Sequence, residues 1–412
     1  MKLLKHSRQL MLFFSKNNNI NYINLTNKTK TIFLELYKEM LEAYNYVKKQ
    51  SPYKATVKHI NSASQITKPK NFNSNSFPEN VRKHIDEMSI AEISYTFSLY
   101  DRSIKVYFVV ESLNIDEELD SFNKYIESIA MWLYIVHLYA PRECVKKINI
   151  YLYFTSLFKR LPSSNVYILD ENNVNTAFTT TCPVDSEIVV FRKEEWFKVL
   201  IHETFHNFGL DFSMMNNQTL NENILDIFDI NSDVNAYEAY TEFWAEIMNV
   251  LFCSFFELND KSDIQQFLSA AEFYINFERL HSFFQMVITL KFMGLTYKEL
   301  YEKTNHAKIN RDNLYKENTN VFAYYVLKTI MMNNFQGFLN WCKKNNFSLL
   351  DFKKTIGNQE QFCQFIKTNY KSRSMLNCVF ESEKILSKIN RSKKGSIRYI
   401  LSTMRMSICE LG

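Results

Sequence analysis

The stretch EEWFKVLIHETFHNFGLDF, residues 194–212, decides how the rest of the chain is read. It opens on charged residues, turns apolar at Val199, Leu200 and Ile201, and meets Gly209 three positions after His206. A helix that stops near a glycine accounts for that order. On such a helix His202 and His206 lie four apart on one face, about 5–6 Å apart at Cβ, so two imidazoles can reach one metal ion. Glu203 stands beside the first of them, placed to take a proton from a metal-activated water rather than to ligate. A zinc ion lowers the pKa of such a water to about 7. Composition alone produces this HExxH pattern in a chain of this length on the order of one time in a hundred. The apolar flank, with Phe205 and Phe208, adds that the helix is buried, where an unpartnered charge is costly.

The other 400 or so residues set bounds. A chain of 412 residues with 46% hydrophobic content can bury a sizeable core. The formal charge of +5, from 49 basic and 44 acidic residues, is mild and scattered, so no nucleic-acid partner is expected. The basic run Lys384, Lys388, Arg391, Lys393 and Lys394 reads as a solvated face. No apolar run nears the roughly 20 residues of a membrane span, and the first residues lack a leader's cleavage site. Seven cysteines without a CxxC pair predict free thiols in a reducing compartment, hence an intracellular, cytoplasmic protein. Six glycines, six prolines and many Asn, Lys, Ile, Phe and Tyr residues point to AT-rich codons rather than to a function.

Periodicity divides the chain into three parts. Residues 1–85 form a helical extension followed by a polar linker over 51–78. Residues 86–215 hold the strands and the motif helix. Segments 93–99 and 104–110 make a hairpin, a helix runs over 116–139, and 148–154, 174–181 and 188–191 are further strands. Residues 216–412 carry helical segments at 233–257, 263–293, 318–346 and 359–390. The fold class is α+β.

The text after the motif narrows the choice of third ligand. The extended pattern HExxHxxGxxH requires a ligand at position 212, which is Phe212, and Asp211 falls one residue early. HETFH at 202–206 and TEFWAE at 241–246 instead resemble the motifs of the gluzincin branch of the zincin metallopeptidases. VNTAFTTTCP at 174–183 and IVVFRKEEWFKVLIHETFHNFGLDFS at 188–213 are similar to putative metallopeptidases of large nucleocytoplasmic DNA viruses. The resemblance runs from residue 174 to residue 246.

It implies a zincin-like fold: a small mixed sheet packed on the HExxH helix, then a mainly helical C-terminal half carrying the glutamate ligand. In the helix over 233–257, Glu238, Glu242 and Glu246 form one acidic stripe in apolar surroundings, which a dication and histidine N–H groups would satisfy. Glu242 is then the third ligand of Zn2+ with His202 and His206, and Glu246 orients a ligating histidine. The alternative register puts Glu238 on the metal with Glu242 behind it. Asn175 and Ala177, on the strand before the motif helix, become the residues that hold substrate backbone. Tyr237, Tyr240, His281, Tyr324 and Tyr325 are the candidates for stabilising an oxyanion, with the Tyr324–Tyr325 pair favoured. Cys182 lies close enough in sequence to approach the metal. The implied activity is hydrolysis of a peptide or protein substrate. The competing function is a catalytically idle, virion-associated interaction protein that retains the fold as a scaffold.

Overall fold

Alternation of apolar and polar residues makes the central hairpin. β2 (Ala91–Leu99) and β3 (Arg102–Val110) pair antiparallel out to Leu99 opposite Arg102. The two-residue turn between them places Tyr100 at a φ of +53°. In the computed structural model, which describes residues 3–17, 20–74, 76–112, 114–389 and 395–410, this hairpin sits inside a six-stranded sheet. The others are β1 (Ala55–His59), β4 (Lys147–Phe154), β5 (Ala177–Thr179) and β6 (Asp185–Val190), in the order β1-β2-β3-β4-β6-β5. β3, β4 and β6 run parallel, while both edges pair antiparallel. The parallel step from β3 to β4 is bridged by the helix Ile115–Tyr139. The chain is α+β with a mixed sheet.

Because successive side chains leave a strand on opposite faces, the sheet separates two cores. One face presents Ile104, Val106, Phe108, Ile150, Leu152 and Ile188 to the main core, which also receives the motif helix Trp196–Asn207 and the helical half. The other face presents Val109, Tyr151, Tyr153, Val189 and Phe191, covered by Ile66, Phe72, Phe77, Val81 and Ile85. Residues 51–78 are therefore not the loose linker expected. They supply β1 and a buried cover, from apolar residues spaced too widely in polar text to show a period.

The motif helix is pinned at three places. Trp132 Nε1 donates to Thr204 Oγ1 at 2.6 Å. Asn207 Nδ2 donates to Thr179 Oγ1 at 2.8 Å, and Ser186 Oγ donates to Asn207 Oδ1 at 2.7 Å, tying the helix end to β5 and β6. The helix stops as expected: Gly209 takes a φ of +66°, and Leu210 N donates back to Phe205 O at 2.8 Å.

In the helical half the expected 233–257 and 263–293 appear as Ala236–Glu257 and Ile264–Met293, whereas 318–346 holds Lys328–Asn333 and Phe335–Asn345, and 359–390 divides into Ile356–Asn369 and Arg373–Ile389. Gln218–Leu225, Tyr297–Tyr301 and Asn305–Leu314 are helices that were not expected. A π-helical stretch, Phe322–Leu327, precedes Lys328. The last described segment, residues 403–410, is buried and irregular. Its Met406 and Ser407 N–H groups donate to Glu195 Oε1, and those of Ile408 and Cys409 to Glu278. Lys384 and Lys388 lie exposed, as the solvated-face reading requires, whereas Arg391, Lys393 and Lys394 fall outside the described residues. No helix among the described residues is long and apolar enough to cross a membrane.

The cysteine expectation is corrected. Cys144 and Cys182, 38 residues apart, form a disulfide beneath Gly209. Spacing along the chain carries no trace of it, because the two halves come from loops that meet only in the fold. Cysteine usage therefore gives no argument for a reducing compartment. Thiol titration of the unreduced, denatured chain is expected to count five cysteines, namely 253, 342, 363, 378 and 409, and to rise to seven after reduction. Seven before reduction would remove the bridge.

Candidate metal centre

Helical periodicity brings the two imidazoles together, and their geometry is specific. His202 Nε2 and His206 Nε2 stand 3.2 Å apart. Glu238 Oε2, from the first turn of helix Ala236–Glu257, lies 3.1 Å from the first and 3.3 Å from the second. The three atoms form a near-equilateral triangle. Donors each about 2.0–2.2 Å from a tetrahedral ion stand roughly 3.3–3.5 Å from one another, so the triangle has the size of one face of a zinc polyhedron.

The far sides of both rings are also held. His202 Nδ1 faces Glu242 Oε2 at 3.0 Å, and Glu242 Oε1 accepts from Lys198 Nζ. His206 Nδ1 faces Asp211 Oδ2, while Asp211 Oδ1 accepts from Ser213 N and Oγ at 2.8 and 2.7 Å. A carboxylate behind each histidine fixes its tautomer, because Nδ1–H is donated outward and the Nε2 lone pair is left for the centre. In that tautomer three acceptor atoms converge in a buried place that could hold a metal ion. The metal-free alternative is a protonated pair, with one or both rings charged and balanced by Glu238.

The charges reflect this. Burial alone would lower the pKa of His206, but Glu238 and Asp211 hold it well above its ordinary value, and Glu238 and Glu242 likewise raise that of His202. Against the upward push of burial, the histidines and Lys198 hold the carboxyls of Glu238 and Glu242 well below the usual carboxylate range. Burial raises Glu203, only partly opposed by His202 and His206.

The expected register thus shifts by one helical turn. The carboxylate grouped with the histidines is Glu238, not Glu242. Glu242 does what was expected of Glu246, and Glu246 lies beyond the site, bound to Lys328 Nζ at 2.6 Å and to Ser282 Oγ at 3.2 Å. The reason is Lys198, one turn ahead of His202, which takes one oxygen of Glu242 and leaves the other for Nδ1.

Glu203, Asn175 and Ala177 line one small pocket with His202 and Tyr324. Its volume of about 30 Å³ suits a water or a carbonyl group, not a side chain. Ala177 begins β5, the outermost strand of the sheet. Asn175 Oδ1 accepts from Thr319 Oγ1 at 2.8 Å. Of the favoured tyrosine pair, Tyr324 reaches the site and donates to Glu238 Oε2 at 2.9 Å, whereas Tyr325 donates to Met404 O. Tyr237 stacks edge-on to His206 with ring centres 6.1 Å apart. Tyr240 donates to Leu350 O, and His281 faces Arg405 O, so both lie outside the site. Cys182 is held in its disulfide. In the sequence Asp211 was weighed only as a ligand one residue out of place, and Lys198 was not singled out. The signal for Asp211 was present, a carboxylate two residues past the helix-ending glycine.

Set against protein-family models, curated proteins and solved structures, the chain matches none.

Two outcomes follow from the geometry. Glu238→Gln is expected to weaken zinc binding more than Glu242→Gln, whose loss is put at about 10- to 100-fold. Glu246→Gln should leave the affinity unchanged, as read by competition with a chromophoric chelator. The reverse order for the first two would restore the original register. Zinc must also displace protons from two imidazoles whose pKa values are raised, so affinity is expected to climb as pH rises through and above 6.5. A flat profile there would mean that the histidines do not ligate.

Proposed function

We propose that the protein is a zinc-dependent peptidase in which His202, His206 and Glu238 hold the metal and Glu203 is the general base. The observation that carries this reading is the convergence of His202 Nε2, His206 Nε2 and Glu238 Oε2 within 3.1–3.3 Å of one another, beside a pocket that Glu203 lines. Two imidazoles and one carboxylate make a donor set that favours zinc over harder divalent ions. Three protein ligands also leave a fourth position for water or substrate, as catalytic sites do. Bound there, zinc would polarise a carbonyl oxygen and lower the pKa of water.

The chain's own residues divide the remaining work. Glu203, raised by burial, takes the proton of the attacking water and returns it to the leaving amine. β5 offers its outer side to an extended peptide as an added antiparallel strand, with Ala177 contributing backbone groups and Asn175 standing at its head. Tyr324 Oη, next to the ligand oxygen, is the donor placed to turn toward the developing oxyanion. Glu242 and Asp211 keep both imidazoles in the ligating tautomer. A mixed sheet with an antiparallel edge strand on the motif helix, followed by a helical half that supplies the carboxylate, agrees with the zincin-like arrangement.

One observation favours a second reading. Glu238 also pairs with both histidines and accepts from Tyr324, so the cluster can balance as ion pairs in an interaction protein without turnover. The two separate by experiment. On a mixed peptide library, Glu203→Gln is expected to retain stoichiometric zinc and lose about 10²- to 10⁴-fold in kcat/KM. Tyr324→Phe is expected to lose about 10²-fold, mainly in kcat. Stoichiometric zinc with no turnover by the native protein would sink the peptidase and leave the scaffold.

A further inference from the structure

The pocket at the metal group does not end at Asn175. That residue also forms part of the wall of a second, larger cleft of about 610 Å³, within the range of roughly 300–1,000 Å³ usual for ligand sites. The cleft is built from the ends of the elements that make the centre. Asp233 and Val234 lead into the helix bearing Glu238, and the backbone oxygen of Asn320 accepts from Tyr324 N at 3.0 Å. Next to Asn175, Thr176 lines the inner pocket; it is 4% exposed, and its Oγ1 has no hydrogen-bond partner among the described residues. A buried hydroxyl is costly to leave unbonded, so this one is placed for a group that enters the groove.

The chemistry of the outer cleft is one-sided. Its lining includes the carboxylates of Glu171, Asp233 and Glu317 and the amides of Asn231, Asn318 and Asn320, and among the described residues no Lys, Arg or His. This is on a chain whose formal charge is +5. Burial holds Glu317 up at about 7, against hydrogen bonds from Ser232, Phe322 N and Tyr315, with the Asp233 charge adding to the rise. A cation entering the cleft would favour the ionised form and offset the mutual repulsion.

We propose that this cleft is the subsite for a cationic side chain, so that the polypeptide acted on carries lysine or arginine a few residues from the bond at the metal centre. The assignment rests on the peptidase reading for what happens to the chain, and on the cleft alone for its selectivity. An extended peptide added along β5 would pass Ala177, Thr176 and Asn175 in turn, and Asn175 lines both the inner pocket and the cleft that holds the carboxylates.

The test uses full-length zinc-loaded Glu203→Gln protein and fluorescent hexapeptides in which one position at a time carries Arg, Gln or Glu. At low salt the Arg peptides at one or two positions are expected to bind about tenfold tighter than their Gln counterparts, and the Glu peptides more weakly still. Adding Glu171→Gln and Asp233→Asn, two changes at positions that are not buried, should erase that advantage without altering the circular dichroism spectrum. Equal binding of Arg and Gln peptides at every position, or an advantage that survives the double change, overturns the assignment. Native-protein turnover separates the two ideas. Charge-selective binding without cleavage removes the peptidase and keeps the cleft, and cleavage indifferent to charge does the opposite.

Discussion

Three atoms that carry lone pairs can meet in a buried place only with a proton, a donor or a cation among them. Everything distinctive about this chain follows from that constraint. Each imidazole has its outer nitrogen committed, His202 to Glu242 and His206 to Asp211, so both inner nitrogens face Glu238. Protons can satisfy the arrangement by charging one or both rings, whose inner nitrogens are 3.2 Å apart. A divalent ion satisfies it with one species, and the second-row carboxylates then serve to strengthen the ligands.

Holding such a centre requires that the charges behind it be compensated as well. Lys198 closes on Glu242, Lys159 on Glu195 at 2.5 Å, and Lys328 on Glu246 at 2.6 Å, all with side chains 2% exposed or less. Arg405 joins Glu410 at 2.7 Å. Leaving one member of a buried pair unmatched costs roughly 3–5 kcal/mol, so these pairs fix which helix faces which. The final described segment takes part in this, since its N–H groups donate to Glu195 Oε1, the oxygen that Lys159 leaves free, and to Glu278. The site is thus embedded in a polar interior that reaches from the motif helix to the end of the described chain, and Met406 from that end lines the inner pocket.

The parts of the fold legible in the sequence were those with a period. The hairpin of β2 and β3, the helix Ile115–Tyr139, β4 and the long helices of the second half show alternation or helical recurrence, and they appear where that recurrence put them. What was not legible depended on contacts between distant residues. Ile66, Phe72 and Phe77 cover the far face of the sheet without any local pattern. The Cys144–Cys182 bridge joins two loops with no mutual signature. β5, expected over 174–181, contracts to Ala177–Thr179, because Asp170 caps a short helical turn, Glu171–Val174, immediately before it.

The register of the glutamates shows what a pairwise view of two stripes adds. On the acidic helix Glu238, Glu242 and Glu246 recur every four residues, and by period alone they are equivalent. The motif helix carries its own stripe at the same spacing, Lys198, His202 and His206, and the lysine is part of it. The two stripes face each other running in opposite directions. His206 meets Glu238, His202 lies between Glu238 and Glu242, and Lys198 meets Glu242. Glu246 then falls past the end of the cationic stripe and must find Lys328 on another helix. Reading the histidines as an isolated pair leaves three glutamates to choose from. Reading them with Lys198 narrows the choice, because the ammonium pairs with Glu242 and the glutamate left beside both histidines is Glu238, one turn nearer the start of its helix.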